Sequence, residues 1–486
     1  MLVIRNNTYS QSCLWGHRKS NANNPFSYKK ALFNETSDKS LYYSNYNISK
    51  TFNDGVSVIV NTLSDSVAVL SKEETKLFNS ISLRSDNSVF DDQLLDLGFI
   101  TFDKKNEEEL LSLQKNLILS NHMGLPSVTI LPTQACNARC AYCFAEHNTK
   151  ISMTNETTEK VIKFFSDTFK PQDHVLIRWF GGEPLMAKET ITYITSRIDE
   201  VFDHKLDFES LLFTNGSLIT DELLFEAKNI WRVSKIQLTL DGFNEEHNNR
   251  KRYAGENADY YNKVLSDISK ILSLGIRVDC RINLDKDNIN QIDNILSDLE
   301  RFKDNSLFRA RLTILRPSDC GANSFNYIKP SDLSWAYNIL YRKAFSKGFI
   351  KDINSIIPAR RDECCIARSI NKVIIGADGY FYKCLQEVFD ANHAVGSLDE
   401  SINLLKYYNY CNTELHSECS ACKFLPVCEG GCEAYWNMRD NYDISPCIRE
   451  KFFFDLLLDF VYEWFIHGRL MSLEESVVDS SFQMEC

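Results

Sequence analysis

The residues best suited to chemistry lie in "CNARCAYCFAE", which runs from Cys136 to Glu146. Cys136, Cys140 and Cys143 have three and then two residues between them, a spacing typical of a metal-ligand set. A structural zinc ion takes four protein ligands, and a structural iron–sulfur cluster usually takes four thiolates. We therefore interpret the missing fourth ligand as functional, because an iron with a free position can bind the amino and carboxyl groups of a small molecule. A three-cysteine zinc site is the alternative.

A second group of cysteines lies in the last third of the chain. The intervals between its four central members are two, five and three residues, and four residues separate Gly379 from the cysteine of "GADGYFYKC". Seven cysteines here have ligand-like spacing: Cys365, Cys384, Cys419, Cys422, Cys428, Cys432 and Cys447. Six others have no assignment, and a lone one is expected to act as a small buried hydrophobe: Cys13, Cys280, Cys320, Cys364, Cys411 and Cys486.

Composition limits the class of protein. The 486 residues are 44% hydrophobic and 25% charged, which fits a globular chain of roughly three domains. The net charge of −12 disfavours nucleic acid and anionic membranes as partners, because both attract basic surfaces. No apolar signal region opens the chain, so we expect a cytoplasmic protein. In that reducing compartment, clustered cysteines hold metal more often than they form disulfides.

The most apolar stretch, "FFFDLLLDFVYEWFI" from Phe452, predicts a buried helix with one solvent-exposed face. Asp455, Asp459 and Glu463 recur every four residues and would share that face. The stretch is too short and too charged to span a bilayer.

The amino-terminal part predicts a small separate module. The first 35 residues are polar and rich in Asn and Ser, so we expect a mobile segment over 1–35. "YNISKTF", "VSVIVNTL" and "SVAVL" then predict strands, and a capping box of Ser71 and Glu74 opens a helix. A second helix near "DDQLLDLG" leads into "FITFD". The pattern over 36–122 favours a winged-helix-like module. A domain that serves only for packing is an equally favoured alternative.

From Ser127 the chain alternates between strands and helices. Helical segments such as "ADYYNKVLSDISKILSLG" separate six apolar runs: "SVTILPT", "HVLIRWF", "ESLLFTN", "KIQLTLD", "RVDCRIN" and "RARLTIL". This alternation predicts an α/β fold of parallel strands with helices outside, as an open sheet or a partial barrel. Each run ends in a polar or glycine-containing turn, and the carboxyl ends of parallel strands are where ligands bind.

The cysteine loop, with Phe144 beside it, resembles the CxxxCxxC signature of the radical S-adenosylmethionine (SAM) superfamily. The resemblance implies a partial (β/α)6 TIM-type barrel over 123–345. It also implies a 4Fe–4S cluster on Cys136, Cys140 and Cys143, whose free iron chelates SAM. One electron, from a donor such as flavodoxin or ferredoxin, would cleave SAM to a 5′-deoxyadenosyl radical that abstracts hydrogen from the substrate.

Further motifs carry the resemblance along successive strands: "GGEP" at Gly181 to Pro184, "LTLDGFNEEHNNR" with Asp241 and His247, and "RIN". In that family these segments and the residue before the third cysteine contact SAM. The resemblance therefore implies six SAM-binding residues: Tyr142, Gly182, Glu183, Thr239, Arg250 and Asn283.

The later cysteines resemble the SPASM extension of radical SAM enzymes, which binds two auxiliary 4Fe–4S clusters. The resemblance implies a SPASM domain with a terminal helix over 346–486. It assigns Cys365, Cys384 and Cys432 to the first auxiliary cluster. The second would take four ligands: Cys419, Cys422, Cys428 and Cys447. The first set has only three, so its fourth ligand could be Cys364, Cys411 or substrate. A zinc ribbon is the alternative.

Radical SAM enzymes with this extension are mainly peptide maturases and anaerobic sulfatase maturases. A winged-helix-like module resembles the element that captures the leader of a precursor peptide. We therefore predict a maturase that cross-links a ribosomally made precursor peptide, through a thioether or a carbon–carbon bond. The alternatives are a formylglycine-generating sulfatase maturase and a zinc-stabilised binding protein without catalysis. Sulfatase maturases carry an aspartate where this chain has Leu385, although Glu387 and Asp390 lie nearby.

Overall fold

The computed structural model describes eleven ranges of the chain: residues 1–6, 40–81, 88–120, 126–144, 151–254, 258–317, 326–359, 365–388, 390–412, 414–439 and 443–470. Of residues 114–120 it describes the backbone only. Four cysteines fall outside these ranges: Cys13, Cys320, Cys364 and Cys486. Within the described residues, no helix combines the length and the hydropathy that crossing a membrane requires.

Strands and helices alternate through most of these ranges. The strands are β1 (Leu2–Asn6), β2 (Tyr42–Tyr43), β3 (Asn47–Thr51), β4 (Ser57–Asn61), β5 (Ser66–Leu70), β6 (Ile100–Thr101), β7 (Ser127–Ile130), β8 (His174–Trp179), β9 (Asp207–Phe213), β10 (Val233–Leu240), β11 (Arg277–Leu284), β12 (Phe308–Ile314), β13 (Lys372–Ile375), β14 (Tyr380–Tyr382), β15 (Gly396–Ser397) and β16 (Ser401–Ile402). The α-helices are α1 (Lys72–Asn79), α2 (Val89–Asp96), α3 (Lys104–Ser120), α4 (Asn155–Thr168), α5 (Lys188–Val201), α6 (Asp221–Asn229), α7 (Glu245–Lys251), α8 (Tyr260–Ser273), α9 (Ile292–Leu299), α10 (Leu333–Ser346), α11 (Leu404–Cys411), α12 (Leu425–Cys428), α13 (Glu433–Met438) and α14 (Phe454–His467).

The amino-terminal strands form an antiparallel sheet in the order β1–β5–β4–β3, and β2 pairs with β6 beside it. The three strands and two helices predicted in this part are confirmed. The predicted capping box is also present, because the Ser71 side chain accepts from Glu74 N and the Glu74 carboxylate accepts from Ser71 N. The winged-helix interpretation of these elements stays a prediction.

The prediction of a mobile segment over 1–35 is wrong for its first residues. Strand β1 pairs antiparallel with β5, with Leu2 opposite Val69. Arg5 anchors the strand, since it forms an ion pair with Asp65 at 2.7 Å and donates to Ile357 O at 3.1 Å. The short apolar run thus completes a sheet edge that would otherwise be unpaired. Residues 7–35 lie outside the described ranges.

Six parallel strands form the centre of the molecule, and all six were predicted. They lie in the order β12–β11–β10–β9–β8–β7 within one ten-stranded sheet. Alternate residues of β10 that face the helices are buried, for example Ile236 and Leu238. Helix α8 packs on this face and ends before Gly275, whose φ of +73° terminates it as predicted. The prediction of an α/β fold with a large, mostly parallel sheet is confirmed.

The same sheet continues into the segment after residue 345. Strand β13 pairs parallel with β7, with Ile374 opposite Thr129. Strands β14, β15 and β16 then extend the sheet by antiparallel pairing. The predicted boundary between 123–345 and 346–486 therefore lies within a continuous hydrogen-bonded sheet.

Helix α14 covers the amino-terminal sheet. The prediction that its acidic residues form a solvent-exposed face is wrong in part. Glu463 forms two hydrogen bonds to the guanidinium of Arg342, at 2.7 and 2.8 Å, and these side chains are only 17% and 6% exposed. Asp459 pairs with Lys50 of β3, and both of these side chains are more exposed than Glu463 and Arg342. The acidic residues face partner cations on neighbouring elements, because the helix lies between two layers.

We expect Glu463→Leu to destabilise the protein by about 3 kcal/mol, because it removes the carboxylate that neutralises the buried Arg342 charge. The matched change Asp459→Leu should cost less than about 1 kcal/mol, since the pair with Lys50 is half exposed. Denaturant titration followed by circular dichroism measures both. Equal losses in the two variants would contradict this interpretation of the buried pair.

Candidate functional site

The cysteine loop follows β7 directly, at the carboxyl end of the parallel strands. Burial, together with the neighbouring Cys143 and Glu183, raises the pKa of Cys136 to about 11. Burial raises the pKa of Cys140 to about 12, with Cys143 and Cys136 adding to it. The three thiols therefore lie close enough to repel one another as thiolates. Metal binding would release their protons and satisfy this buried charge.

The "GGEP" turn packs directly on the cysteine loop. Gly182 N donates to Thr133 O at 3.1 Å, and Glu183 N donates to Ala135 O at 2.8 Å. A Cβ atom at Gly182 would lie 2.3 Å from the main-chain oxygens of Gln134 and Ala135. The structural reason for this glycine is therefore the backbone of the cysteine loop itself, whereas the sequence suggested only an approach to a ligand.

Glu183 links this turn to the next one. Its carboxylate accepts from Thr214 Oγ1 at 2.7 Å, Asn215 N at 2.8 Å and Leu185 N at 3.1 Å. Burial raises the pKa of Glu183, and these donors work against that rise. The predicted SAM-binding carboxylate is thus used for internal hydrogen bonds that fix the turns after β8 and β9.

A buried network lies beneath the loop and joins three of the predicted residues. Tyr142 donates to Asp241 Oδ2 at 2.5 Å, and Asn283 Nδ2 donates to Asp241 Oδ1 at 2.9 Å. Lys251 Nζ lies 3.1 Å from Asp241 Oδ2 and 2.5 Å from Thr239 Oγ1. The network brings Tyr142, Thr239 and Asn283 together, as their position at neighbouring strand ends predicts.

Lys251 was missed by the sequence analysis, although it is central to this network. Burial opposes its charge, yet Asp241 and the neighbouring Tyr142 and Cys140 hold the Lys251 pKa well above its usual value. Its carbonyl oxygen also accepts from Arg139 N at 2.8 Å within the cysteine loop. The lysine therefore contacts the loop through its backbone and the strand ends through its side chain. Its place in the run "NNRKR" resembles an ordinary surface charge cluster.

Arg250 lies at the rim of the same region. Its guanidinium pairs with the buried Asp285 and lies 3.8 Å from Glu246. Arg250 Nε and His247 Nε2 are buried, and neither has a hydrogen-bond partner in the described part of the chain. Burial lowers the pKa of His247 to about 4, so its ring is neutral, and Nδ1 accepts from Asp241 N. These two unpaired nitrogens are available to a polar ligand such as SAM.

The thiol trio has no fourth protein ligand among the residues described here. Glu183 and Asp241 are the neighbouring carboxylates, and both are held by the hydrogen bonds given above. In the described ranges, no group of three or more His, Cys, Asp or Glu side chains is close enough to hold a single metal ion, so the three thiols are further apart than the ligands of one ion. A donor set of three thiols fits a cluster with one open iron position.

The later cysteines fall into the two sets that the sequence predicted. Burial raises the pKa of Cys384 to about 12, and Cys365 and Cys432 contribute to it. Burial also raises the pKa of Cys428, and three other thiols add to that rise: Cys447, Cys419 and Cys422. Lys451 Nζ lies 3.6 Å from Cys447 Sγ. The structure thus brings together three thiols in one set and four in the other.

A cavity of about 650 Å³ connects the two sets. Five cysteines line it together with cations such as Arg316 and Arg449: Cys365, Cys384, Cys428, Cys432 and Cys447. Cys411, proposed as a further ligand, is not brought to this cavity, because its thiol is buried in the main core beside Tyr407. Cys364 lies outside the described ranges. Glu387 lines the cavity and accepts from Tyr410 at 2.8 Å.

Comparison with known proteins agrees with this geometry. The family model of the radical SAM superfamily matches residues 130–299. A cysteine-type anaerobic sulfatase-maturating enzyme of Clostridium perfringens (strain 13 / Type A) is 24% identical over 364 residues, covering 68% of this chain and 95% of that protein. A GTP 3′,8-cyclase of Campylobacter jejuni (strain RM1221) is 26% identical over 293 residues, covering 56% of this chain and 86% of that protein.

A solved structure shares the fold. Native anSMEcpe with bound AdoMet matches with a TM-score of 0.55 at 18% identity, covering 70% of this chain and 98% of that chain. Residues 130–299 therefore carry a radical SAM domain, which includes strands β8 to β11 of the central sheet. It is a radical SAM iron–sulfur enzyme, and its cofactors are a 4Fe–4S cluster and SAM. The predicted enzyme class is confirmed, whereas the SPASM domain stays a prediction.

We expect Gly182→Ala to prevent loading of the cluster beside the loop. The new Cβ would overlap main-chain oxygens of the loop, so the thiols must move and about four irons should be lost. Gly275→Ala is the control: its left-handed φ of +73° makes the change strained, but a Cβ atom there would meet only the flexible Lys228 Nζ at 3.9 Å. Iron and sulfide analysis measures both, and equal iron contents would refute the packing argument.

We expect Lys251→Met to weaken the SAM site without emptying the later thiol sets. The change leaves Asp241 buried and unpaired, at a local cost of about 3–5 kcal/mol. Electron paramagnetic resonance of the reduced enzyme should lose its response to added SAM. Lys205→Met removes an exposed ion pair with Asp203 and serves as the control. A normal SAM response in Lys251→Met would show that the network does not position the loop.

Proposed function

We propose that this enzyme modifies a ribosomally made precursor peptide by abstracting hydrogen from one residue and forming a thioether or carbon–carbon cross-link. The observation that carries the proposal is the arrangement of ten cysteines. Three form one set with no fourth protein ligand among the described residues, and seven form two later sets at a shared cavity. A radical reaction that ends in oxidation needs a site for hydrogen abstraction and a separate acceptor for an electron. This arrangement offers both.

In this proposal, Cys136, Cys140 and Cys143 hold the 4Fe–4S cluster that binds SAM. When bound, the cluster supplies the electron that cleaves SAM to the 5′-deoxyadenosyl radical. The network around Lys251 keeps the loop fixed on the ends of β10 and β11. The polar groups for SAM would come from His247 Nε2 and Arg250 Nε, because the Gly182 N–H is already donated to Thr133 O.

The two later sets would hold auxiliary 4Fe–4S clusters. Cys365, Cys384 and Cys432 would hold the first, whose fourth position is left to Cys364 or to substrate. The second would be closed by four thiolates: Cys419, Cys422, Cys428 and Cys447. Their mutual effect on pKa supports both groupings, because thiols interact in this way only at short range.

The amino-terminal sheet would bind the leader of the precursor. Its order leaves β1 and β3 at the two edges, and Leu2 and Val3 of β1 are 50% and 41% exposed. A peptide strand added to such an edge gains main-chain hydrogen bonds and is tethered near the reactive site. An external reductant such as flavodoxin or ferredoxin would supply the electron.

Anaerobic reconstitution with iron, sulfide, SAM and the peptide encoded beside the gene tests the function. We expect formation of 5′-deoxyadenosine and a loss of hydrogen mass from the peptide. Formation of 5′-deoxyadenosine without any change in peptide mass would refute the proposal. A short Cys- or Ser-type sulfatase peptide tests the second candidate, which the similarity over 95% of a sulfatase-maturating enzyme favours. In that case formylglycine would form.

Variants of the cysteine sets distinguish the role of the first set in SAM cleavage from the role of the later sets in binding auxiliary clusters. The triple change of Cys136, Cys140 and Cys143 to Ala should abolish 5′-deoxyadenosine and lower iron from about twelve to about eight per chain. The triple change at Cys365, Cys384 and Cys432 should remove about four irons while 5′-deoxyadenosine still forms.

Cys280→Ala is the control for both triple variants, because this buried thiol lies outside all three sets. Iron analysis and chromatography of the nucleoside products measure the result. Unchanged iron in either triple variant would contradict the ligand assignment.

A further inference from the structure

The face of the central sheet that points away from the helices is basic, although the chain is acidic. Strand register places Lys235 opposite Arg277, and Thr239 opposite Arg281 and then Arg311. Six cations share this inner face: Arg178, Lys235, Arg277, Arg281, Arg309 and Arg311. Three carboxylates share it in strands β8 to β12: Asp207, which pairs with His174 at 2.8 Å, Glu209 and Asp279. The whole chain, by contrast, has a net charge of −12.

The protein neutralises only part of this positive charge, because cations outnumber carboxylates on this face. Asp279 pairs with Arg311 at 2.5 Å, whereas the side chain of Lys235 has no hydrogen bond or ion pair to a described residue. Burial lowers the pKa of Lys235, and Arg311, Arg277 and Arg178 lower it further against the effect of Asp279. Cations from four strands therefore surround one another. Such an arrangement is costly for an empty site and favourable for one that receives an anion.

The basic face begins at the reactive end of the sheet and extends away from it. Arg281 lies beside Thr239, at the level of the network under the cysteine loop, and donates to Asn283 Oδ1 at 2.8 Å. Lys235 and Arg277 lie four residues earlier on their strands, which is roughly 13 Å. Thr129 Oγ1, on the same face beside Arg178, is buried without a partner among described residues. The polar groups thus form a wall along the strands.

We propose that this inner face, which we call the basic wall, binds an acidic segment of the substrate peptide, with carboxylate side chains within about four residues of the modified residue. The inference rests on the proposed function and specifies its substrate class. An extended peptide advances about 3.3 Å per residue, so alternate carboxylates match the spacing of cations on one strand face.

The layout favours a peptide over a nucleotide. Phosphate sites usually present converging backbone N–H groups at a glycine-rich turn. Here the N–H groups of Gly182 and Glu183 are already donated to Thr133 and Ala135. The cations are instead spread along several strands.

Calorimetry on the reconstituted holoenzyme with SAM tests the inference without turnover. The probes are three capped peptides of equal length in which Asp, Asn or Lys alternates with Gly around a central Tyr. We expect the Asp peptide to bind about tenfold more tightly than the Asn peptide at low salt, and the difference to shrink as salt is added.

Two charge-reversal variants distinguish the effect of the basic wall on peptide affinity from the effect of the protein's net charge. Lys235→Glu should weaken binding of the Asp peptide about tenfold. Lys163→Glu makes the same change in net charge at an exposed pair with Asp167 and should leave the affinity within about twofold. Equal binding of the Asp and Asn peptides, or equal effects of the two reversals, would overturn the inference. The inference would also be overturned if GTP displaced the Asp peptide and if the affinity for GTP fell in Lys235→Glu.

The peptide-modification assay distinguishes the two proposals. If an Asn or Lys peptide binds best while the natural precursor is still modified, the basic-wall proposal is refuted and the proposed function is not. A precursor that is never modified refutes the proposed function, whereas preferential binding of the Asp peptide would still support the basic wall.

Discussion

The buried ion pair of Lys251 and Asp241 is the constraint on which the reactive end of this enzyme depends. Both side chains are almost fully buried, at 3% and 0% exposure, so neither charge has water to stabilise it. Each charge is satisfied only if Tyr142, Thr239 and Asn283 keep their positions. The pair therefore makes the cysteine loop, helix α7 and the ends of β10 and β11 interdependent, because movement of any one leaves a charge buried alone.

Two electrostatic regimes lie next to each other in the central sheet. Around Lys251 every charge has a partner within the protein, which favours a rigid loop. Along the basic wall, cations outnumber carboxylates, which favours binding of an anionic ligand. The difference follows from topology, because the network sits in the strand-end turns whereas the wall lies on the open inner face.

The continuous sheet also joins the radical SAM domain to the later cysteines. Strand β13 lies directly beside β7, the strand that precedes the cysteine loop. Cys384 follows β14, the next strand of the same sheet. Because hydrogen-bonded strands do not slide without losing their register, the two cysteine regions are held at a fixed separation. A fixed separation would suit electron transfer between the proposed clusters.

The sequence by itself determined the six parallel strands, the cysteine spacing and the enzyme class, because each is a local pattern of apolar alternation, turn residues or ligand intervals. It also placed Tyr142, Thr239 and Asn283 at neighbouring strand ends. Only the tertiary structure decided that Glu183 is used internally, that Lys251 is buried and that Leu2–Asn6 form a strand. Those facts depend on which distant groups meet, and a charged residue in a run such as "NNRKR" carries no local sign of burial. The basic wall was similarly hidden, since its cations come from separate strands and become one surface only when the register aligns them.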